Sequence, residues 1–237
     1  MDKNSNTHRR KIETAQSGTA RAALLGISDG LVTNVSLILG VAAAGAHQDL
    51  VRVAGIASLI AGACSMAVGE YISMRGQVEL LQSVLVIERE QLHDNPKSAH
   101  ESLEKVLMAD GVSKDTAHAA ALEISHDPEK AMAVYARGEL GINPGELGAA
   151  WGSAASSFIT FSIGAFVPLA PWFALSGMTG VFVSLGLSVL AALGIGSYLG
   201  YITSGHLGWP ALRQLLVLII AASATFFIGH LFHTSVT

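Results

Sequence analysis

The chain has 237 residues, of which 51% are hydrophobic and only 14% charged. Soluble domains carry about 25% charged residues, so this balance, with a mean hydropathy of +0.48, excludes an ordinary water-soluble domain. A formal net charge of −4 leaves no basic face for nucleic acid, and the single cysteine, Cys64, rules out an intrachain disulfide.

Residues 1–22 hold Arg9, Arg10, Lys11 and Arg21 but no apolar core. They lack the pattern of a cleavable signal peptide and read as a cytoplasmic arm. Beyond them, charge vanishes from long blocks. Only Asp29 is charged between Arg21 and Asp49, only Glu70 between Arg52 and Arg75, and only Arg213 after Glu146. About 20 apolar residues suffice to cross a bilayer as a helix. The blocks predict spans near 23–45, 52–74, 149–170, 176–202 and 211–233. The prolines of "VPLAPW" (167–172) are expected to break the chain between spans three and four, and "SGHLGWP" (204–210) separates four from five. The first span is the weakest by hydropathy, since Ser28, Asp29, Thr33 and Asn34 interrupt it. Cys64 reads as a small buried residue.

Segment 75–148 differs in kind, holding most of the acidic residues in a helical pattern. Span two is expected to run on through 76–94. Asn95-Pro96 then starts a helix that Gly111 stops, Ser113 caps another, and Asp127-Pro128 begins one ending near Gly138. The fold class is therefore an all-α polytopic membrane protein. Its parts are an arm (1–22), transmembrane helices 1–2 (23–74), a cytoplasmic helical insert (75–148) and transmembrane helices 3–5 (149–233). Of the fourteen Lys and Arg residues, only Arg52 falls clearly outside if the amino terminus is cytoplasmic. The positive-inside rule favours that orientation, with the carboxy terminus outside.

Two carboxylates in the spans carry the chemistry. Ionisable residues at such positions usually face a cavity or a partner. Asp29 enters with span one and Glu70 lies near the end of span two, so both are expected in the cytoplasmic half at comparable depth. Met66, Glu70 and Ser73 share a helical face, as do Asp29, Thr33 and Ser36. No basic residue within the spans is expected to neutralise them, which leaves protons or a cation. Oxygen ligands joined by a thioether favour first-row transition ions over Mg²⁺ or Ca²⁺. A water-shielded carboxylate exchanges its proton for a metal ion, a route to cation–proton exchange. His206, His230 and His233 read as interface residues. There is no phosphate loop and no hydrolase elbow, so no enzymatic activity is expected.

"DGLVTNVSLILGVAAA" (29–44), "SMAVGEYIS" (65–73), "ELGI" (139–142) and "GAFVPLAP" (164–171) resemble the vacuolar iron transporter family over roughly 18–235. The resemblance implies a homodimer with its ion path on the two-fold axis. It implies export of Fe²⁺ and often Mn²⁺ from the cytosol, against entering protons; these ions are cargo, and no cofactor is implied. It places metal ligands at Asp29, Met66 and Glu70 in the spans. In the insert, where the family gathers metal with glutamates and methionines, it places them at Glu88, Glu101, Glu104 and Glu139. The insert departs from the pattern at Gln91, Tyr135 and Ala136, and His93 and His100 are candidate substitute nitrogen ligands. The alternative function is a membrane-anchored metal sensor or scaffold without flux; a third is transport of a non-metal solute. A bacterial inner membrane is the expected location.

Overall fold

Apolar runs too long for strands become helices. The computed structural model describes residues 18–94, 96–127, 130–131, 133–134, 150–203 and 207–236. Its α-helices are α1 (Gly18–Ala43), α2 (Gln48–Asp94), α3 (Pro96–Ala109), α4 (Lys114–Ser125), α5 (Ala150–Leu169), α6 (Gly177–Thr203) and α7 (Gly208–Val236). No strand occurs among the described residues. Among the described residues, five helices are long and apolar enough to cross a membrane. The protein is an all-α polytopic membrane protein.

The chain divides into two compact units, one of residues 1–71 with 151–237 and the other of residues 72–150. In the first, α1 is central rather than marginal. Leu31, Val35, Ile38 and Leu39 follow the 3.6-residue period and are buried. Leu31, Val35 and Leu39 pack with Ala192 of α6 and with Leu218 and Ala222 of α7. Toward the other end, Ile38 meets Val51, Leu169 and Trp172. The polar residues that weaken the hydropathy of α1 are partly consumed by packing: Asn34 is buried and its Nδ2 donates to the Ala165 carbonyl at 2.6 Å. Phe182, Ile220 and Phe232 stand exposed, which suits a lipid-facing surface and would be costly in water.

Small residues set the closest approaches, as expected where lipid leaves packing to drive helix association. A Cβ on Gly26 or Gly30 of α1 would run into the α5 backbone at Ser157 or Phe161, and one on Gly164 into the α1 backbone at Ile27. The two helices thus touch backbone to backbone. Cys64 is exposed on α2 and not buried as its apolar run suggested, because it lies away from the stripe Gly55, Gly62 and Ala63 that packs inward.

The break between the third and fourth spans comes later than the first proline. Helix α5 runs through Pro168, and a 3₁₀ turn follows at Ala170–Phe173. Near a helix end Pro168 removes only one backbone bond, and its carbonyl accepts from Ser184 Oγ at 2.7 Å. Arg52 donates to the Trp172 and Phe173 carbonyls, satisfying acceptors that a helix end leaves open.

In the second unit, α3 and α4 form a hairpin around Leu103, Ala121 and Ala131. Gly111 takes φ +90°, which glycine adopts without steric penalty. The Gly111 N–H bonds Met108 O and the Val112 N–H bonds Leu107 O, the paired closure of a Schellman stop. Ser113 occupies the N-cap of α4, but its hydroxyl pairs with Thr116 Oγ1 at 2.9 Å instead of a backbone N–H.

Candidate metal sites

Arg21, Leu25, Asp29 and Thr33 recur every fourth residue on α1 and form one exposed stripe. Thr33 Oγ1 donates to Asp29 Oδ1 at 3.3 Å. Facing helix α2 brings Glu70, whose side chain is 11% exposed and lies 3.5 Å from Arg21 Nη2. The expectation that no basic residue serves these carboxylates is therefore corrected: Arg21, in the first turn of α1, reaches Glu70. Arg75, the nearer basic residue in sequence, instead pairs with Glu79 at 3.0 Å. Met66 packs against the cluster of Ala63, Phe161 and Ala165. Ser73 is exposed and Ser36 buried.

The antiparallel register of α1 and α2 fixes depth. Arg21 meets Glu70. Further along, Gly30 and Gly62 both abut Phe161, and beyond them Gly55 abuts Ile38. Each advance on α1 matches a retreat on α2. Asp29 therefore lies level with residues 62–63, not with Glu70. The two carboxylates are offset by about two turns, roughly 12 Å of helical rise, with Met66 one turn from Glu70. Comparable depth, expected from the sequence, is not found. Along the two helices the three residues are staggered like the rungs of a ladder, and each carboxylate has its own partner, Thr33 for Asp29 and Arg21 for Glu70.

In the second unit, one of the expected glutamates joins a donor cluster. Glu104 Oε2 lies 3.0 Å from His118 Nδ1 and 3.9 Å from His100 Nε2, and the two rings approach at 3.2 Å. The hydrogen bond from His118 holds the Glu104 carboxyl below the usual carboxylate range, against the opposing effect of burial. Glu101, on the neighbouring position, is exposed. Glu88 lies on α2 with its side chain outside the described residues, and Glu139 lies outside them altogether, as do Gln91, His93, Tyr135 and Ala136 as side chains. His118 was missed from sequence, although a signal existed: Glu104 and His118 are each seven residues from Gly111, so folding the hairpin at that glycine brings them together.

The sequence profile of the VIT family matches residues 20–230. The chain belongs to the VIT family. Relatives of this VIT chain include the "Vacuolar iron transporter" of Centaurea cyanus, 28% identical over 209 residues that cover 88% of the chain and 85% of the relative. The "Vacuolar iron transporter" of Acanthamoeba castellanii is 33% identical over 195 residues, covering 79% and 69% respectively. "Vacuolar iron transporter 1" of Eucalyptus grandis is 28% identical over 207 residues, covering 87% and 83%. The matched region of the VIT profile contains the whole Arg21–Glu70–Met66–Asp29 ladder.

Proposed function

We propose that this chain is a secondary transporter that moves divalent transition metal, Fe²⁺ or Mn²⁺, out of the cytosol in exchange for protons. One observation carries the reading: Glu70, Met66 and Asp29 step down facing helices at intervals of about one turn, with Arg21 as the cation at the first step. The names of the relatives, vacuolar iron transporters, support metal as the cargo.

The ladder suggests a sequence of handovers. At rest Arg21 holds Glu70. A divalent ion arriving from the cytosolic side competes with Arg21 for that carboxylate and wins on charge. One turn deeper the Met66 thioether offers a soft donor, which favours transition ions over Mg²⁺. Asp29, steadied by Thr33, receives the ion next, and each carboxylate takes up a proton as the metal leaves it. The Asp29 stripe is exposed on the single chain. A second copy across that face would line the path from both sides, in a homodimer with a cytoplasmic amino terminus in a bacterial inner membrane.

The test is uptake of Fe²⁺ and Mn²⁺ into proteoliposomes with an imposed pH gradient, read by metal- and pH-sensitive dyes. Wild type is expected to couple metal flux to opposite proton flux, and Asp29→Asn or Glu70→Gln to abolish both. Unaltered flux in both variants removes the mechanism. Metal binding by wild type with no flux supports the membrane-anchored sensor instead.

A further inference from the structure

We propose that His100, Glu104 and His118 form a transition-metal site of two imidazole nitrogens and one carboxylate oxygen within the helical insert. This stands on the geometry of α3 and α4 alone and does not depend on transport by the membrane helices. It also differs in kind from the glutamate and methionine ligands that the family resemblance implies for the insert.

The spacing of the donors is the first argument. One ligand atom from each residue lies within 4.8 Å of the others, and the separations are 3.0, 3.2 and 3.9 Å. Zinc-type ions bind imidazole and carboxylate at about 2.0–2.1 Å, which puts neighbouring ligand atoms about 3.3–3.4 Å apart in a tetrahedron. The three observed edges straddle that value. The atoms already mark one face of a coordination polyhedron, and an ion entering above the face needs only small side-chain adjustments.

The protons are the second. His118 Nδ1 faces both Glu104 Oε2 and His100 Nε2 at hydrogen-bond distance. A single ring proton there has to serve both neighbours at once. A divalent cation above the three atoms would displace that proton and take one donor from each residue, once the side chains turn toward it. Among the described residues, His100 Nδ1 is buried without a hydrogen-bond partner, and the polar contact found for that ring is made through Nε2, on the side of the cluster.

The mounting is the third. His100 and Glu104 are one turn apart on α3, and His118 stands on α4 beside buried Ala117. The hairpin is held by the Leu103–Ala121–Ala131 core and closed at Gly111. Donors on packed helices keep their geometry better than donors on loops. His118 is half-exposed, and three protein ligands leave coordination positions open. Nitrogen donors select Fe²⁺, Co²⁺ or Zn²⁺ against Mg²⁺ and Ca²⁺.

The test is a Co²⁺ titration of the full-length protein, stripped with chelator, in nanodiscs with Mg²⁺ in large excess, read by visible d–d absorption. Wild type is expected to develop these bands with saturation at one equivalent per chain. The Asp29→Asn/Glu70→Gln variant is expected to keep them. His118→Ala and His100→Gln are each expected to weaken binding beyond the ~10–100-fold loss typical of removing an outer-shell partner. Absence of the bands in wild type overturns the proposal. So does retention of the same bands and affinity in both histidine variants, or their loss in the Asp29→Asn/Glu70→Gln variant alone.

Discussion

In the membrane unit Glu70, Met66 and Asp29 follow one another at about one turn each, whereas in the insert His100, Glu104 and His118 bring their donor atoms within 4.8 Å. Both sets are carried by antiparallel helix pairs. The difference lies in register. Across the α3–α4 turn, residues at equal distance from Gly111 face each other, so donors converge. Across α1 and α2 the acids sit at unequal distances along the pair, so they spread. A converged set holds an ion in one well. A spread set divides the binding energy among shallow wells, which suits passage. Donor chemistry alone does not distinguish the two; helix register does.

The largest expected effect that separates the regions is on flux. Asp29→Asn or Glu70→Gln is expected to reduce metal-coupled proton movement in proteoliposomes to the protein-free background. Unchanged flux with both substitutions would show that the ladder is not the path. Next comes packing of the membrane unit. Gly164→Leu forces side-chain volume into the α1 backbone at Ile27, and overpacking costs ~1–3 kcal/mol or more. The midpoint of thermal unfolding in detergent is expected to fall clearly, while Gly69→Ala, which meets nothing within 4 Å, leaves it in place.

A smaller effect is expected at the first step of the ladder. The Arg21–Glu70 contact at 3.5 Å has an arginine 63% exposed, and partly exposed pairs are worth up to ~1 kcal/mol. Arg21→Gln is expected to lower the metal concentration for half-maximal flux by up to about fivefold, since a competing cation is removed. A rise in that concentration would mean that Arg21 helps binding and does not compete with it. The smallest is at Arg75–Glu79, an exposed pair one turn apart. Arg75→Ala is expected to change stability by ~0.5 kcal/mol or less, with no change in metal flux.

The five spans were legible because the absence of charge is a one-dimensional signal. The continuation of span two, the stop at Gly111 and the start at Pro96 were legible for local reasons of pattern and backbone preference. Position relative to a partner helix was not. The two-turn offset of Asp29 and Glu70 depends on where Gly30 and Gly62 meet Phe161, and neither helix alone encodes that. Arg21 reads from the sequence as part of a terminal arm, because its long side chain, and not its backbone, reaches Glu70. In the sequence His100 offers a single nitrogen donor with no neighbour in view. It gains a partner only when α4 folds back and delivers His118.

Backbone contact between α1 and α5 at Gly26, Gly30 and Gly164 leaves no side-chain cushion on which those helices could slide. In the proposed transporter this pair would act as a stator, carrying Asp29 on a fixed frame. Any alternation between inward and outward access is then the work of other helices moving past Asp29, and a cross-link between α1 and α5 should leave turnover intact.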